Sequence, residues 1–141
     1  MALGSMMAGT ALNTSRLGLV HGIAHPVGAV TGAAHGLLCG LLMPAVMRFN
    51  QTAAAPRYAH LARELDLVDR AAPDDVGFAA LLAFTEDLLD RVEIPRTLRK
   101  VGFNTADLDW IAQETLPSGS TRANPRAVSL EDAYAVTADA L

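Results

Sequence analysis

Three of the four histidines in this chain, His21, His25 and His35, fall inside the stretch RLGLVHGIAHPVGAVTGAAHG at residues 16–36, which contains no carboxylate. Imidazole is a good ligand for iron, zinc, nickel and copper, and it is the side chain that gains or loses a proton near neutral pH. His21 and His25 are four residues apart, so on a helix they share one face about a turn from each other. Two imidazoles need a carboxylate or a further histidine to complete a metal site, yet the first acidic residue of the sequence is Glu64. Spacing alone therefore leaves three readings open: a metal site, a proton relay, or three hydrogen-bonded core histidines. Cys39 stands one turn after His35; that spacing suits a ligand, but a small buried thiol is the commoner role. His60 sits on the amphipathic stretch after Pro56 and reads as surface or helix edge.

Presenting these rings together requires helices. Pro26, Gly28 and Gly32 argue against one continuous helix through all three histidines; a bend between Val27 and Ala33 lets a second helix begin near His35 and return beside the first. Residues 2–14 carry Gly4, Ser5, Ala8 and Gly9 and predict a helix that a neighbouring backbone can approach closely, with no capping signal before it. Beyond Asn50 the spacing predicts amphipathic helices: Tyr58, Leu61, Leu65 and Val68 form one stripe, and Phe78, Leu81, Leu82, Leu88, Leu89 and Val92 a second, entered at Pro73-Asp74 and closed before Pro95. A short turn over residues 97–100 ends at Gly102 in the left-handed conformation. Asn104 or Thr105 caps a helix that buries Leu108, Ile111 and Ala112 or Thr115 and leaves Trp110 at its edge. Ser129 and Asp132 form a capping box for the last helix. Ala53–Pro56 and Ser118–Asn124 read as mobile connections. No run alternates with period two, so the fold class is all-α, a helical bundle in a single domain over residues 1–141, with apolar core and ligand helices in 1–50 and amphipathic helices in 56–141.

Composition narrows the function. Hydrophobic residues make up 51% of the chain and charged residues 18%, and the net charge is −4. The charge balance and the lack of a basic stripe exclude a nucleic-acid surface. A single cysteine forms no intrachain disulfide, which fits a reducing cytoplasm. Residues 17–47 carry no formal charge, long enough to raise a membrane hairpin. Three histidines, Pro26, Pro44 and repeated glycines oppose that reading, because unsatisfied imidazoles and broken backbone bonds are costly in hydrocarbon. The expectation is no membrane span, but helices covered on every side by others. An apolar front half without cover also predicts self-association.

The string Leu17-Gly18-Leu19-Val20-His21-Gly22-Ile23-Ala24-His25-Pro26-Val27-Gly28-Ala29, followed by His35-Gly36 and Leu42-Met43-Pro44-Ala45-Val46-Met47-Arg48-Phe49-Asn50, resembles the signature of the iron-containing (group III) alcohol dehydrogenases. Ile94-Pro95-Arg96-Thr97-Leu98 with Gly102, and Asn124-Pro125-Arg126 before a closing helix, resemble the C-terminal region of the same family in the same order. The resemblance covers essentially the whole chain. Two departures stand out: Ala34 replaces a proline often found before the His-Gly pair, and Thr31-Gly32-Ala33 is a small loop, which bears on substrate size.

The resemblance implies an all-helical C-terminal domain that follows a dinucleotide-binding α/β domain absent from this sequence, with a divalent metal, iron or possibly zinc, between the two on one aspartate and three histidines. It places His21 and His35 at the last two metal-binding histidines. It places His25 beside the nicotinamide of NAD or NADP, as a non-ligand that helps move the proton, and makes Leu37–Met43 an apolar wall behind the ligand helix. The implied function is hydride transfer between a small alcohol or aldehyde and NAD(P), with little or no activity expected of this chain alone. The competing expectation is a non-catalytic chain of the same fold that binds metal weakly or acts through a partner, as a homo-oligomer or with a separate dinucleotide-binding domain. Arg126 is expected to be structural rather than to reach the cleft.

Overall fold

The computed structural model describes residues 1–141 as seven helices joined by turns, with no strand: α1 (Ala2–Ser15), α2 (Leu19–Thr31), α3 (His35–Glu64), α4 (Asp74–Arg91), α5 (Leu108–Thr115), α6 (Gly119–Arg122) and α7 (Leu130–Asp139), with short 3-10 turns at Leu98–Val101 and Thr105–Asp107. The fold is the all-α bundle that the sequence predicts.

Two adjoining cores hold it. The larger joins Leu19, Ile23 and Val27 of α2 to Leu38, Leu42 and Val46 of α3, and is closed by Leu98, Phe103, Ile111 and Val136. The smaller lies between α3 and α4 and contains Met47, Ala62, Phe78 and Leu81. Burying each such leucine or isoleucine contributes on the order of 1.5–3 kcal/mol. The chain's last turn is fixed to this body by the Leu98 amide, which donates to the Ala140 carbonyl at 2.8 Å.

α3 departs from expectation. Ala53–Pro56 is not a connection: the helix runs unbroken through Pro44 and Pro56 to Glu64. A proline inside a helix removes the bond to the carbonyl four residues back. For Pro56 that carbonyl belongs to Thr52, and both residues lie on the solvent side, where water satisfies the freed group. The buried stripe also differs. Ala59 and Ala62 are fully buried, whereas Leu61 and Leu65 are 48% and 46% exposed. The reason is Gly77 of α4. A Cβ there would lie 2.7 Å from the Cα of Ala59, so the two backbones meet too closely for anything larger than alanine, and the leucines turn outward. Tyr58 keeps its place in the contact, with its ring 5.6 Å from that of Phe78. On α4, Phe78 and Leu81 are buried but Leu88 and Val92 are exposed, since nothing covers the end of that face.

The punctuation read from the sequence holds. Pro73 precedes α4, Gly102 ends the first 3-10 turn at φ 83°, Asn104 accepts from the Ala106 amide at 3.0 Å, and Ser129 with Asp132 forms a reciprocal capping box. Ser118–Asn124, expected as a mobile connection, is instead ordered by α6, whose Ser118 cap accepts from the Ser120 amide and whose Thr121 is buried.

No helix is long and apolar enough to cross a membrane. α1 buries none of its residues; Leu3, Met6 and Met7 are 66%, 63% and 62% exposed. An uncovered apolar helix of this kind drives association. The isolated chain is expected to sediment as a concentration-dependent oligomer, and α1 substitutions such as Met6→Lys with Met7→Lys should shift it toward monomer; a monodisperse wild-type monomer would contradict this.

Candidate functional site

The site is assembled where α2 ends and α3 begins. Gly32, at φ 69° in the left-handed region, caps α2, and its amide donates to the Gly28 carbonyl. The Thr31 hydroxyl donates to the Val27 carbonyl at 2.8 Å and accepts from the Ala33 amide at 3.2 Å. After three intervening residues, α3 starts at His35 and returns along α2. The break thus lies at the late end of the expected bend, and Val27 and Gly28 remain helical. Gly28 faces Leu38 at the distance of ordinary contact, 3.4 Å from an added Cβ, so the two helices pack closely beside the reversal.

The reversal brings all three rings together. The His21 and His35 ring centroids are 5.1 Å apart, those of His25 and His35 are 5.1 Å apart and stacked at 24°, and those of His21 and His25 are 6.4 Å apart, edge to face. The core-histidine reading fails: His25 and His35 are exposed and His21 is half-buried. The only ring nitrogen with a protein polar contact is His35 Nε2, 3.5 Å from Cys39 Sγ. One donor atom each from His21, His35 and Cys39 lie within 4.8 Å of one another. Such a donor set fits a cation of the zinc and iron class. His60 is exposed on the remote part of α3, as expected of a surface residue.

Cys39 differs from its sequence reading. It is half-buried rather than fully buried, packed against the larger core, and its sulfur lies 3.5 Å from His35 Nε2. The i, i+4 spacing to His35 was the signal that pointed there. The expected apolar wall is split as well: Leu38, Leu41 and Leu42 are core, but Met43 is 38% exposed on another side. His25 and His35 are open to solvent, while His21 is half covered.

Burial, and after it the neighbouring His35 and His25, push His21 below the ordinary histidine range. A neutral imidazole keeps its lone pair for a ligand. Burial likewise pushes the Cys39 thiol up.

A polar node behind the site fixes α2. Asn124 and the buried Asn50 exchange two amide hydrogen bonds, at 2.7 and 3.1 Å. The same Asn124 oxygen accepts from the Leu19 amide, the first of α2, at 3.1 Å, and its Nδ2 also donates to the Arg126 carbonyl at 2.8 Å. Arg126 stacks 4.0 Å over the Phe49 ring and donates to the Phe49 carbonyl and to Asp132; it is structural, as expected. Gly22, next to His21, leaves no room for a Cβ beside Thr121. Pro26 frees the Gly22 carbonyl, toward which the buried Thr115 hydroxyl points at 3.5 Å. Sequence reasoning missed Asn50, although an amide within an apolar helix was a visible cue.

Beyond His25 lies an open groove of about 420 Å³, lined by Gly22, His25, Pro26, Ala29, Trp110 and Glu114 among others. Trp110, 43% exposed, is among its lining residues.

Comparison with known proteins agrees with the fold. The model of the C-terminal part of the Fe-containing alcohol dehydrogenase family matches residues 1–141. The chain belongs to the iron-containing alcohol dehydrogenase family. Lactaldehyde reductase of Escherichia coli K12 is 38% identical over 133 residues, which cover 94% of this chain and 35% of that protein. The NAD-dependent methanol dehydrogenase of Bacillus methanolicus is 32% identical over 145 residues, covering 100% of this chain and 37% of that one. The solved alcohol dehydrogenase of Oenococcus oeni superimposes with a TM-score of 0.91 at 31% identity, over 96% of this chain and 36% of that one. The chain thus spans little more than a third of the length of the relatives it matches.

Two predictions rest on this geometry. Asn124→Ala strands the Leu19 amide and the Asn50 side chain, and is expected to cost about 1–3 kcal/mol in urea unfolding, against little change for His60→Ala. The second concerns acid. Because His21 is depressed in the folded state, the unfolded chain takes up its proton first. The histidine's contribution is therefore intact above about pH 6.5 and is lost as pH falls through the unfolded value toward the folded one. The metal-free chain should unfold at lower urea near pH 5 than near pH 7, and His21→Gln should flatten part of that dependence.

Proposed function

We propose that this chain is the helical, metal-holding part of an NAD(P)-dependent alcohol dehydrogenase, acting on small alcohols or aldehydes together with a dinucleotide-binding domain not contained in these residues. The observation that carries it is the convergence of His21, His25 and His35 on one open face, in a chain whose relatives include a lactaldehyde reductase and an NAD-dependent methanol dehydrogenase. We assign residues 1–141 to a single domain and its setting to the cytoplasm, where Cys39 stays a thiol.

His21 and His35 hold the cation, iron or zinc. When bound, a divalent cation supplies Lewis acidity toward an alcohol or aldehyde oxygen. The low proton affinity of His21 keeps its ring free for this near neutral pH. His25 is the proton carrier. Its ring stacks on His35 and lines the groove, so one ring nitrogen could take up a hydroxyl proton of a substrate in the groove and the ring could release a proton outward to solvent. Trp110 offers an apolar floor for the ring end of the nicotinamide or for the substrate's carbon chain. The open face of the histidines is where the second domain closes, excluding water from the reacting atoms.

The test is a chimera in which this chain replaces the matching third of the Escherichia coli lactaldehyde reductase. His21→Ala and His35→Ala are expected to lower both metal content and alcohol-dependent NAD(P) reduction, the latter by about 100-fold or more. His25→Ala should lower turnover by about 100-fold with metal content retained. The isolated chain should be inactive. Activity in the chimera that survives loss of His21 and His35 would refute the assignment.

A further inference from the structure

The groove between α2 and α5 carries side chains that hydride transfer itself leaves unused. On α2, Gly22, Pro26 and Ala29 recur at i, i+4 and i+7 and so share one helix face, and their short side chains leave the space open. On α5, Trp110 and Glu114 stand one turn apart and line the same groove. Its volume of about 420 Å³ lies in the range of small-molecule sites. We propose that this groove seats the end of the substrate remote from the reacting hydroxyl, and that Glu114 and Trp110 select alcohols bearing an ammonium group there over alcohols bearing a carboxylate. The proposal rests on the assignment of His25 to the reacting end and deepens it by naming a substrate class.

Charge decides that class. Glu114 is the only Asp, Glu, Lys or Arg among the lining residues, and none of the chain's ion pairs uses its carboxylate. Ser118, also in the lining, is occupied as the cap of α6, where its hydroxyl accepts from the Ser120 amide at 3.2 Å. Arg122 donates to the Pro117 carbonyl but does not line the groove. A carboxylate entering here meets an unpaired negative charge and no positive one in the lining. An ammonium is drawn by the same carboxylate and, against an indole, by the ring's negative face. The charge also keeps a dinucleotide pyrophosphate out of the groove, which leaves it to the substrate. Both Glu114 and Trp110 are exposed, so water and salt weaken each attraction, and the expected discrimination is about fivefold to tenfold.

Trp110 is the only tryptophan of the chain, so its fluorescence reports on the groove without a label. The purified chain is titrated at low ionic strength and about pH 8, where an alkylamine is charged. The probes are 3-amino-1-propanol and 3-hydroxypropanoate, of similar length and opposite charge. The amine is expected to change the emission saturably and the carboxylate to leave it unchanged over the same range. Glu114→Gln should weaken the amine about fivefold and Glu114→Lys should reverse the preference, with helical circular dichroism retained in both. In the lactaldehyde reductase chimera, Glu114→Gln should lower the ratio of kcat/KM for the amine to that for 1-propanol by a similar factor. Equal responses to the two probes, or an ammonium preference that survives Glu114→Lys, would overturn the inference. Propanol oxidation that needs His21 and His35 but shows no ammonium preference would overturn it and leave the dehydrogenase assignment standing. An ammonium-selective groove in a chimera that oxidises no alcohol would support Glu114 as the selecting group and count against that assignment.

Discussion

Everything at the candidate centre depends on how tightly α2 is tied to α3 at both ends. At one end, Gly32 in the left-handed region and two further residues reverse the chain, and a link this short leaves α3 no choice but to start beside the face of α2 that carries His21 and His25. At the other, Asn124 holds the first amide of α2 while exchanging amide bonds with Asn50 in the middle of α3. The node ties together segments 74 and 105 residues apart in sequence. Between these ties the apolar faces of both helices interlock around Leu19, Ile23, Leu38 and Leu42, so the side chains on the opposite faces are positioned by the core.

The same packing accounts for which parts of the structure could be read from the sequence. Local signals were legible because their physics is local: the Ser129–Asp132 box, the left-handed Gly102, the proline before α4, and the helical pairing of His21 with His25 each depend on a few neighbouring residues. Features decided by distant segments were not. The leucines at 61 and 65 look like a buried stripe, but Gly77, reached only through the α3–α4 contact, makes the alanines the buried face. Pro56 reads as a break, yet on a solvent-facing turn water replaces the missing bond. The loop at 118–124 reads as mobile until Thr121 is seen beneath Gly22 and Asn124 beneath Leu19. Cys39 is the instructive case at the site itself: its spacing from His35 was plain, but only the returning path of α3 shows that it also comes within reach of His21.

Membership of the iron-containing alcohol dehydrogenases and the shape of the bundle agree in one respect that matters for chemistry. The larger core, with Leu19, Ile23, Leu38 and Leu42, lies on the same two helices as the histidines, while His25 and His35, the groove lined by His25 and Trp110, and the apolar surface of α1 are all open. A packed back and an open front hold the three rings in a fixed arrangement on an accessible face, which is what the proposed function asks of them. The neutral state favoured at His21 by burial and by the two nearby rings suits the ligand role proposed for it, as distinct from the proton-carrying role proposed for His25.

The central claim is that the rings at 21, 25 and 35 occupy one shared centre. Histidine-selective nitrogen–proton NMR of the full chain during zinc addition tests it most directly. At one equivalent the ring resonances of His21 and His35 are expected to shift together to metal-coordinated values, with His25 moving as their neighbour and His60 unchanged; separate, unsaturated shifts of individual rings, or a response at His60 as large as at His21, would contradict the account.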